Sequence, residues 1–236
     1  MITVIKSPFV QYKLTILRNK KTSNTVFRQT MNEISYLIAS DVLQYVPFKK
    51  QTIETPLKKM SGTALGQPII LVPILRAGLG LLEGFAKFLP EAEKGHIGLY
   101  RDEQTYEPVE YLFKLPRVKN KKVLILDPML ATGNSSIAAI NLIKNKGVNI
   151  KDIFLVSLLA APEGIKNIQK KQKGILQVHK FVHHDINLYD LFQLLVKILQ
   201  TPQVNLNRRV KLGPKLWVEP KLYHSFFLEV FQLFVF

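Results

Sequence analysis

Residues 123–136, VLILDPMLATGNSS, contain the pattern that decides the fold. A short apolar run typical of a buried strand leads into Asp127, and a helix is predicted to begin near Thr132. A helix N-terminus presents unpaired backbone N–H groups and a partial positive charge, and Gly133 would let a ligand approach the backbone closely. The stretch therefore predicts a cradle for a monophosphate, with Asp127 placed to bind sugar hydroxyls or to help hold a magnesium ion. The same letters also fit an ordinary Asp-Pro turn before a capped helix.

Two further predicted strands end in a cation. Residues 72–80, VPILRAGLG, place Arg76 after a buried strand, and residues 98–103, GLYRDE, place Arg101 just past another strand. Taken singly, each segment also fits an exposed turn or a solvated hairpin. Taken together, two cationic strand ends and one anion cradle on a shared sheet edge suit a substrate with a phosphate at one end and a diphosphate at the other.

The chain alternates strand-like and helix-like segments up to residue 172. Three segments are short, continuously apolar and rich in branched side chains, which indicates strands buried on both faces. They are residues 68–75, 121–126 and 153–159. Apolar residues at helical spacing predict helices over residues 31–46, 79–89 and 135–145. The predicted fold class is α/β, with a central, mostly parallel sheet flanked by helices.

The composition changes near residue 173. The segment 173–236 holds four of the five histidines, seven of the 14 phenylalanines and the single tryptophan. We therefore predict two parts, residues 1–172 and residues 173–236. Residues 186–200 are expected to form an amphipathic helix and residues 226–236 a strand. His179 and His183 have helical spacing but no third ligand nearby, so no metal site is predicted there.

The absence of cysteine excludes disulfide scaffolds, thiol nucleophiles and zinc–thiolate sites. A net charge of +16 could attract polyanions, but the basic residues are scattered and mostly lysine, which favours compositional bias over nucleic-acid binding. No apolar run reaches the length of a membrane span, and the first residues do not resemble a leader. We expect a soluble protein, located in the cytoplasm, or in the plastid stroma if an organelle encodes it.

Six segments, in this order and spacing, resemble bacterial-type uracil phosphoribosyltransferases. They are VPILRAGLG, GHIGLYRDE, TYEPVEY, LPR, LDPMLATG and LLAAPEGI. The resemblance covers roughly residues 6–172. It implies the type I phosphoribosyltransferase fold and the conversion of uracil and phosphoribosyl pyrophosphate (PRPP) into UMP and pyrophosphate, with Mg²⁺. It also implies a homo-oligomer, and GTP binding is a further family property to consider.

The resemblance assigns roles residue by residue. Arg76 and Arg101 would bind the pyrophosphate side of PRPP, and Asp127 would contact the ribose hydroxyls, with Asp127 and Arg101 as the catalytic pair. The loop for the 5-phosphate would consist of Asp127, Pro128, Met129, Leu130, Ala131, Thr132, Gly133, Asn134 and Ser135. Asn134 departs from the glycine usual in the family, and a mild effect is expected because asparagine tolerates left-handed backbone geometry.

The family's uracil-binding segment, similar to PGLGDAGDR, has no counterpart after residue 172. No residue can therefore be assigned to uracil. Either the tail has diverged, or the reading frame has shifted near residue 172, and the abrupt change in composition favours the frameshift. Three alternatives to an active uracil enzyme follow. They are a catalytically inactive PRPP-, nucleotide- or RNA-binding protein of the same fold, a phosphoribosyltransferase for another base, and a non-functional remnant that aggregates through its phenylalanine-rich end.

Overall fold

The structure, a computed structural model, describes residues 2–4, 7–19, 21–102, 108–172 and 177–180. The strands in these ranges are β1 (Ile2–Val4), β2 (Phe48–Glu54), β3 (Lys59–Leu65), β4 (Ile69–Leu75), β5 (Glu93–Lys94), β6 (His96–Arg101), β7 (Pro108–Lys114), β8 (Lys122–Leu126), β9 (Met129–Leu130), β10 (Ile153–Ser157), β11 (Leu159–Ala160) and β12 (Gln177–Lys180). The helices are α1 (Pro8–Arg18), α2 (Asn24–Leu43), α3 (Leu79–Phe88), α4 (Asn134–Asn145) and α5 (Pro162–Lys171).

The central sheet has the strand order β1-β12-β10-β8-β4-β6-β7, with the short β5 beside β4. Neighbouring strands run parallel except β6 and β7, which pair antiparallel. All three strands predicted from continuous apolar runs are present, as β4, β8 and β10. Each has residues packed on both faces, which is why the apolar run is unbroken instead of alternating.

Two hydrophobic cores lie on opposite faces of the sheet. In β4, Ile69 and Leu71 join the core that contains α1, α2 and α3, whereas Ile70 and Val72 join the core that contains α4 and α5. This alternation follows from the two-residue period of a strand. The predicted α/β class, with a mostly parallel sheet flanked by helices, is therefore confirmed.

The long helix α2 begins earlier than residue 31, where the apolar spacing placed its start. The side chain of Ser23 accepts a hydrogen bond from the backbone of Val26, so Ser23 caps the helix and Asn24 is its first residue. Gly84 of α3 lies against this helix, where an added Cβ would stand 2.1 Å from the Ser35 hydroxyl. The other two predicted helices, α3 and α4, lie within one residue of their expected bounds.

An antiparallel hairpin, β2–β3, was not anticipated from the sequence. It forms a separate two-stranded sheet, and every residue of β2 is exposed. Its strands mix lysine, threonine and single apolar residues, so neither a buried run nor a regular alternation marks them in the sequence. The hairpin nevertheless carries several exposed apolar side chains, namely Phe48, Ile53, Leu57 and Met60.

The sheet also includes a strand from beyond residue 172. β12 lies between β1 and β10 and runs parallel to both. The remainder of the tail, with the predicted helix 186–200 and the predicted strand 226–236, lies outside the described residues, so the proposed two-part division stays a prediction. Within the described ranges, none of the helices combines the length and hydropathy that crossing a membrane would require.

Candidate active site

The adjacent strands β4 and β8 define a crevice at their carboxyl ends. The chain continues from β4 through α3 to β6 on one side, and from β8 through α4 to β10 on the other. Such a reversal of direction is a topological switch point, where open parallel sheets bind their ligands. Pro73 is in register with Leu126, so Arg76 and Asp127 follow the same end of neighbouring strands. The fold thus brings these two predicted site residues to one crevice.

The loop between β8 and α4 is fastened to the sheet by its backbone. The N–H of Leu159 donates to the carbonyl of Pro128 at 3.0 Å, and the N–H of Ala161 donates to the carbonyl of Leu130 at 2.8 Å. Both Pro128 and Leu130 are buried. Of the nine predicted loop residues, these two could therefore serve a ligand only by shaping the loop, not through exposed side chains.

Gly133 turns the loop into the helix. Its φ of +82° lies in the left-handed region that glycine adopts without a Cβ clash, and its carbonyl accepts the first helical hydrogen bond, from Ile137, at 2.9 Å. The residues around this turn are partly exposed: Ala131, Thr132, Asn134 and Ser135. They lie at the N-terminus of a 12-residue helix, where unpaired N–H groups favour an anion.

Asp127 is held at the crevice by its neighbours. Its Oδ2 accepts a hydrogen bond from the hydroxyl of Ser136 at 2.7 Å, and its Oδ1 accepts one from the backbone of Met129 at 3.4 Å. Its own N–H donates to the carbonyl of Val156 in β10 at 3.0 Å. The carboxylate is thus oriented before any ligand arrives, while Asp127 itself is only half-buried.

Helix α5 packs directly on the loop between β8 and α4, which is the candidate cradle for a phosphate. A Cβ added to Gly164 would stand 2.4 Å from the carbonyl oxygen of Ala131, so only glycine allows this approach. One turn further on, the side-chain amide of Asn167 donates to the carbonyl of Thr132 at 2.9 Å and to Oδ1 of Asn134 at 3.1 Å. The loop is therefore braced from a helix that follows it by about thirty residues in the chain.

The turn after β4 carries Arg76, which is half-buried and is joined to Leu75 by a cis peptide bond. Close behind it, the N–H of Gly78 donates to the carbonyl of Ile74 at 2.8 Å. A Cβ at Gly78 would stand 2.4 Å from the carbonyl oxygen of Leu126, the residue before Asp127. The Arg76 turn and the Asp127 loop are therefore packed against each other through backbone.

Arg101 is the last residue of β6, and its backbone pairs with Pro108 of β7. Because β6 runs parallel to β4, with Leu75 in register with Gly98, Arg101 lies towards the same edge as Arg76. Its side chain and the following residues 103–107 lie outside the described part of the chain. The assignment of Arg101 to the diphosphate therefore stays a prediction.

Two residues at this site have roles that the sequence did not reveal. Ser136 is fully buried, and its hydroxyl donates to Asp127 and not to a ligand. Its position in the first turn of α4 was the available signal. Asn167 lies in a helix surface rich in polar residues, and nothing local in the sequence distinguishes it.

Comparison with known proteins agrees with this geometry. The model of a family described as uracil phosphoribosyltransferase matches residues 4–189, and so continues past residue 172. A uracil phosphoribosyltransferase from Finegoldia magna is 45% identical over 190 residues, which cover 80% of this chain and 85% of the relative. Another from Rhizobium leguminosarum is 49% identical over 170 residues, covering 71% of this chain and 80% of the relative.

A solved structure of a protein from Aquifex aeolicus superposes with a TM-score of 0.70 at 33% sequence identity. The superposition covers 76% of this chain and 86% of that chain. Together with the sheet order and the cradle at the switch point, this similarity confirms the expected type I phosphoribosyltransferase fold. The chain belongs to the uracil phosphoribosyltransferase family.

Proposed function

We propose that this protein transfers the phosphoribosyl group of PRPP to uracil, which yields UMP and pyrophosphate. The observation that carries the proposal is the loop from Asp127 to Ser135, which joins an oriented carboxylate to a helix N-terminus at the switch point of the sheet. These two groups match the ribose 5-phosphate half of PRPP, whose phosphate needs N–H donors and whose hydroxyls need an acceptor. Membership of the family supports the assignment of the base and of the leaving group.

In the proposed reaction, the bond between C1 of the ribose and the diphosphate breaks. A ring nitrogen of uracil bonds to C1 and releases its proton to the surrounding water. Positive charge develops on the sugar as the diphosphate departs, and the carboxylate of Asp127 stabilises that charge while its position fixes the ribose. Arg76 and Arg101 stabilise the negative charge on the diphosphate. No protein nucleophile is required.

We infer that a magnesium ion would enter this site together with the substrate. Among the described residues, no cluster of three His, Cys, Asp or Glu side chains could hold a metal by itself. Mg²⁺ commonly binds one or two carboxylates together with substrate phosphates and water, and Asp127 is the carboxylate that this crevice offers. When bound, the ion would neutralise the charge of the leaving diphosphate.

Self-association is part of the proposal. The hairpin β2–β3 exposes Phe48 at 52%, Ile53 at 41%, Leu57 at 95% and Met60 at 46% of their surfaces. Exposed apolar side chains concentrated on one element are typical of a subunit interface. We infer that the hairpin contacts a second copy of this chain.

The proposal is tested with the purified full-length chain, PRPP, uracil and Mg²⁺, by following UMP formation together with the binding of ribose 5-phosphate. UMP formation that requires uracil supports the enzyme. If the chain binds ribose 5-phosphate but turns over none of several bases tested, it is the inactive PRPP-binding protein. If it releases pyrophosphate with a base other than uracil, that base is the substrate. No binding of ribose 5-phosphate would overturn the cradle itself.

The base site has a test of its own. Translation of the coding DNA in the other two frames should reveal a segment similar to PGLGDAGDR if the frame has shifted. Its absence there would leave divergence of the tail as the explanation. Restoration of the frame, where such a segment exists, should then increase UMP formation without changing the affinity for ribose 5-phosphate.

A further inference from the structure

The side chain of Asn167 makes two hydrogen bonds, through a single amide nitrogen, with the loop that runs from Asp127 to Ser135. Nδ2 donates to the carbonyl of Thr132 at 2.9 Å and to Oδ1 of Asn134 at 3.1 Å. A backbone carbonyl can only accept, so the amide group of Asn167 must face the loop, and Asn134 must turn its oxygen towards Asn167. The hydrogen-bond network therefore determines the orientation of both side-chain amides.

This arrangement explains how the loop accommodates asparagine where the family usually has glycine. An asparagine at position 134 adds a side-chain oxygen beside a loop that must receive an anion, and that oxygen would repel a phosphate if it faced the ligand. The hydrogen bond from Asn167 directs the oxygen towards α5 instead. The backbone N–H groups at the start of α4 then remain available to the anion.

The surrounding packing makes α5 a rigid support. Gly164, one turn before Asn167, approaches the carbonyl of Ala131 so closely that an added Cβ would stand 2.4 Å from it. A Cβ added to Gly133 would in turn stand 3.0 Å from the carbonyl of Gly164. Ile165 and Ile168, on either side of Asn167, are buried in the core that α5 shares with α4. Asn167 thus projects from an anchored helix onto the turn at Gly133, where the loop enters α4.

We propose that Asn167 is a positioning residue, which holds Thr132 and Asn134 in the conformation that binds the 5-phosphate. This inference rests on the proposed function and adds to it a residue outside the loop. Without the two hydrogen bonds, the loop would occupy its binding conformation for a smaller fraction of the time, and the apparent affinity would fall by that fraction. The loss of two neutral hydrogen bonds corresponds to roughly a tenfold decrease.

The test uses Asn167→Leu, which keeps the number and branching of the side-chain heavy atoms, is also uncharged and favours a helix, but has no donor. Gln169→Ala, at an exposed position on the same helix, is the control. We expect the dissociation constant for ribose 5-phosphate, measured by calorimetry with the full-length chain, to rise about tenfold in the first variant and to stay within about twofold in the second. Inorganic pyrophosphate, which would contact the Arg76 side, should bind both variants as it binds the wild type.

A second variant separates positioning from general stability. Asn134→Gly restores the family's residue and removes one of the two acceptors, so Asn167→Leu should weaken binding only about threefold in that background. Equal loss of both ligands in Asn167→Leu, or an affinity for ribose 5-phosphate within twofold of the wild type, would overturn the role of Asn167. A wild-type chain that binds no ribose 5-phosphate would overturn the proposed function instead.

Discussion

The hydroxyl of Ser136 donates a 2.7 Å hydrogen bond to Oδ2 of Asp127, and Ser136 is completely buried. This bond joins the end of β8 to the first turn of α4, so the carboxylate and the helix N-terminus keep a fixed relationship. In the proposed mechanism, the carboxylate contacts the ribose of PRPP and the helix N-terminus binds its 5-phosphate. Because the two groups are coupled, they orient PRPP with little reorganisation during the reaction.

The first prediction compares Ser136→Ala with Asp127→Asn. Removal of the hydroxyl frees the carboxylate to rotate, and a hydrogen bond to a charged group contributes about 1.5–3 kcal/mol. We expect Ser136→Ala to lower kcat/KM for PRPP by about tenfold and Asp127→Asn by more, since the second variant loses the charge itself. Steady-state kinetics and calorimetry with PRPP measure both effects. Unchanged kinetics in Asp127→Asn would contradict the assignment of the ribose to this residue.

The second prediction uses the two glycines at the ends of α4. Gly133 and Gly147 both have a positive φ, +82° and +89°, so backbone strain from alanine at either position should lower the free energy of unfolding by at least about 1 kcal/mol. Only Gly133 lies in the candidate cradle, where a Cβ would press on the carbonyl of Gly164, whereas Gly147 has open space around it. We therefore expect Gly133→Ala alone to lose affinity for ribose 5-phosphate.

Denaturant unfolding and calorimetry on the same two samples decide this comparison. The contact with Gly164 should make Gly133→Ala the less stable of the two variants, so a binding defect confined to Gly133→Ala in fully folded samples would support the cradle. A binding defect of equal size in Gly147→Ala would show that affinity follows overall stability, and the cradle would lose its specific support.

The third prediction concerns pH. Burial raises the pKa of the Asp41 carboxyl above its ordinary value, so the folded state holds this proton more tightly than the unfolded chain does. The charged form therefore disfavours folding, and the penalty grows as the pH rises from about 4 through the folded-state pKa. Asp41 also lies near the C-terminus of α2, where a negative charge is unfavourable.

Asp41→Asn should consequently raise the melting temperature by about 1–3 °C at neutral pH and by nothing at a pH below both pKa values. Thermal unfolding followed by circular dichroism across this pH range provides the measurement. Glu91→Gln, which neutralises an exposed carboxyl, is the control. A stabilisation that is as large in acid as at neutral pH would contradict burial of the charge as the cause.

The fourth prediction concerns the hairpin β2–β3. The double substitution Leu57→Lys and Met60→Lys places two charges on its exposed apolar surface, where they would have to be buried in a dimer at high cost. We expect light scattering after gel filtration to give a multiple of the 27.0 kDa chain mass for the wild type and the monomer mass for the variant.

Two lysines at the exposed positions Gln44 and Gln169 add the same charge elsewhere and should leave the mass unchanged. A wild-type chain that is itself monomeric would contradict the inferred self-association. Loss of ribose 5-phosphate binding in the hairpin variant would indicate that the site depends on the interface, because the hairpin forms a sheet of its own and carries none of the cradle residues.

Much of the fold was predictable because its signals are local. The continuous apolar runs that form β4, β8 and β10 indicate burial on both faces, and the residues after Leu126 indicate a tight turn into a helix. The start of α2 was predicted wrongly because the apolar spacing was read only from residue 31 onwards, whereas the helix begins directly after its N-cap, Ser23. The hairpin was missed because exposed strands have no burial pattern to reveal them.

The sequence by itself determined the α/β class and the family to which the segments are similar, and it predicted an anion-binding role for the loop. Only the tertiary structure decided that Gly78 lies against Leu126, that Ser136 holds Asp127 and that Asn167 reaches the loop from α5. The reason is physical. Propensity and burial act between residues close in the chain, whereas these contacts join residues that only the pairing of strands and the packing of helices bring together.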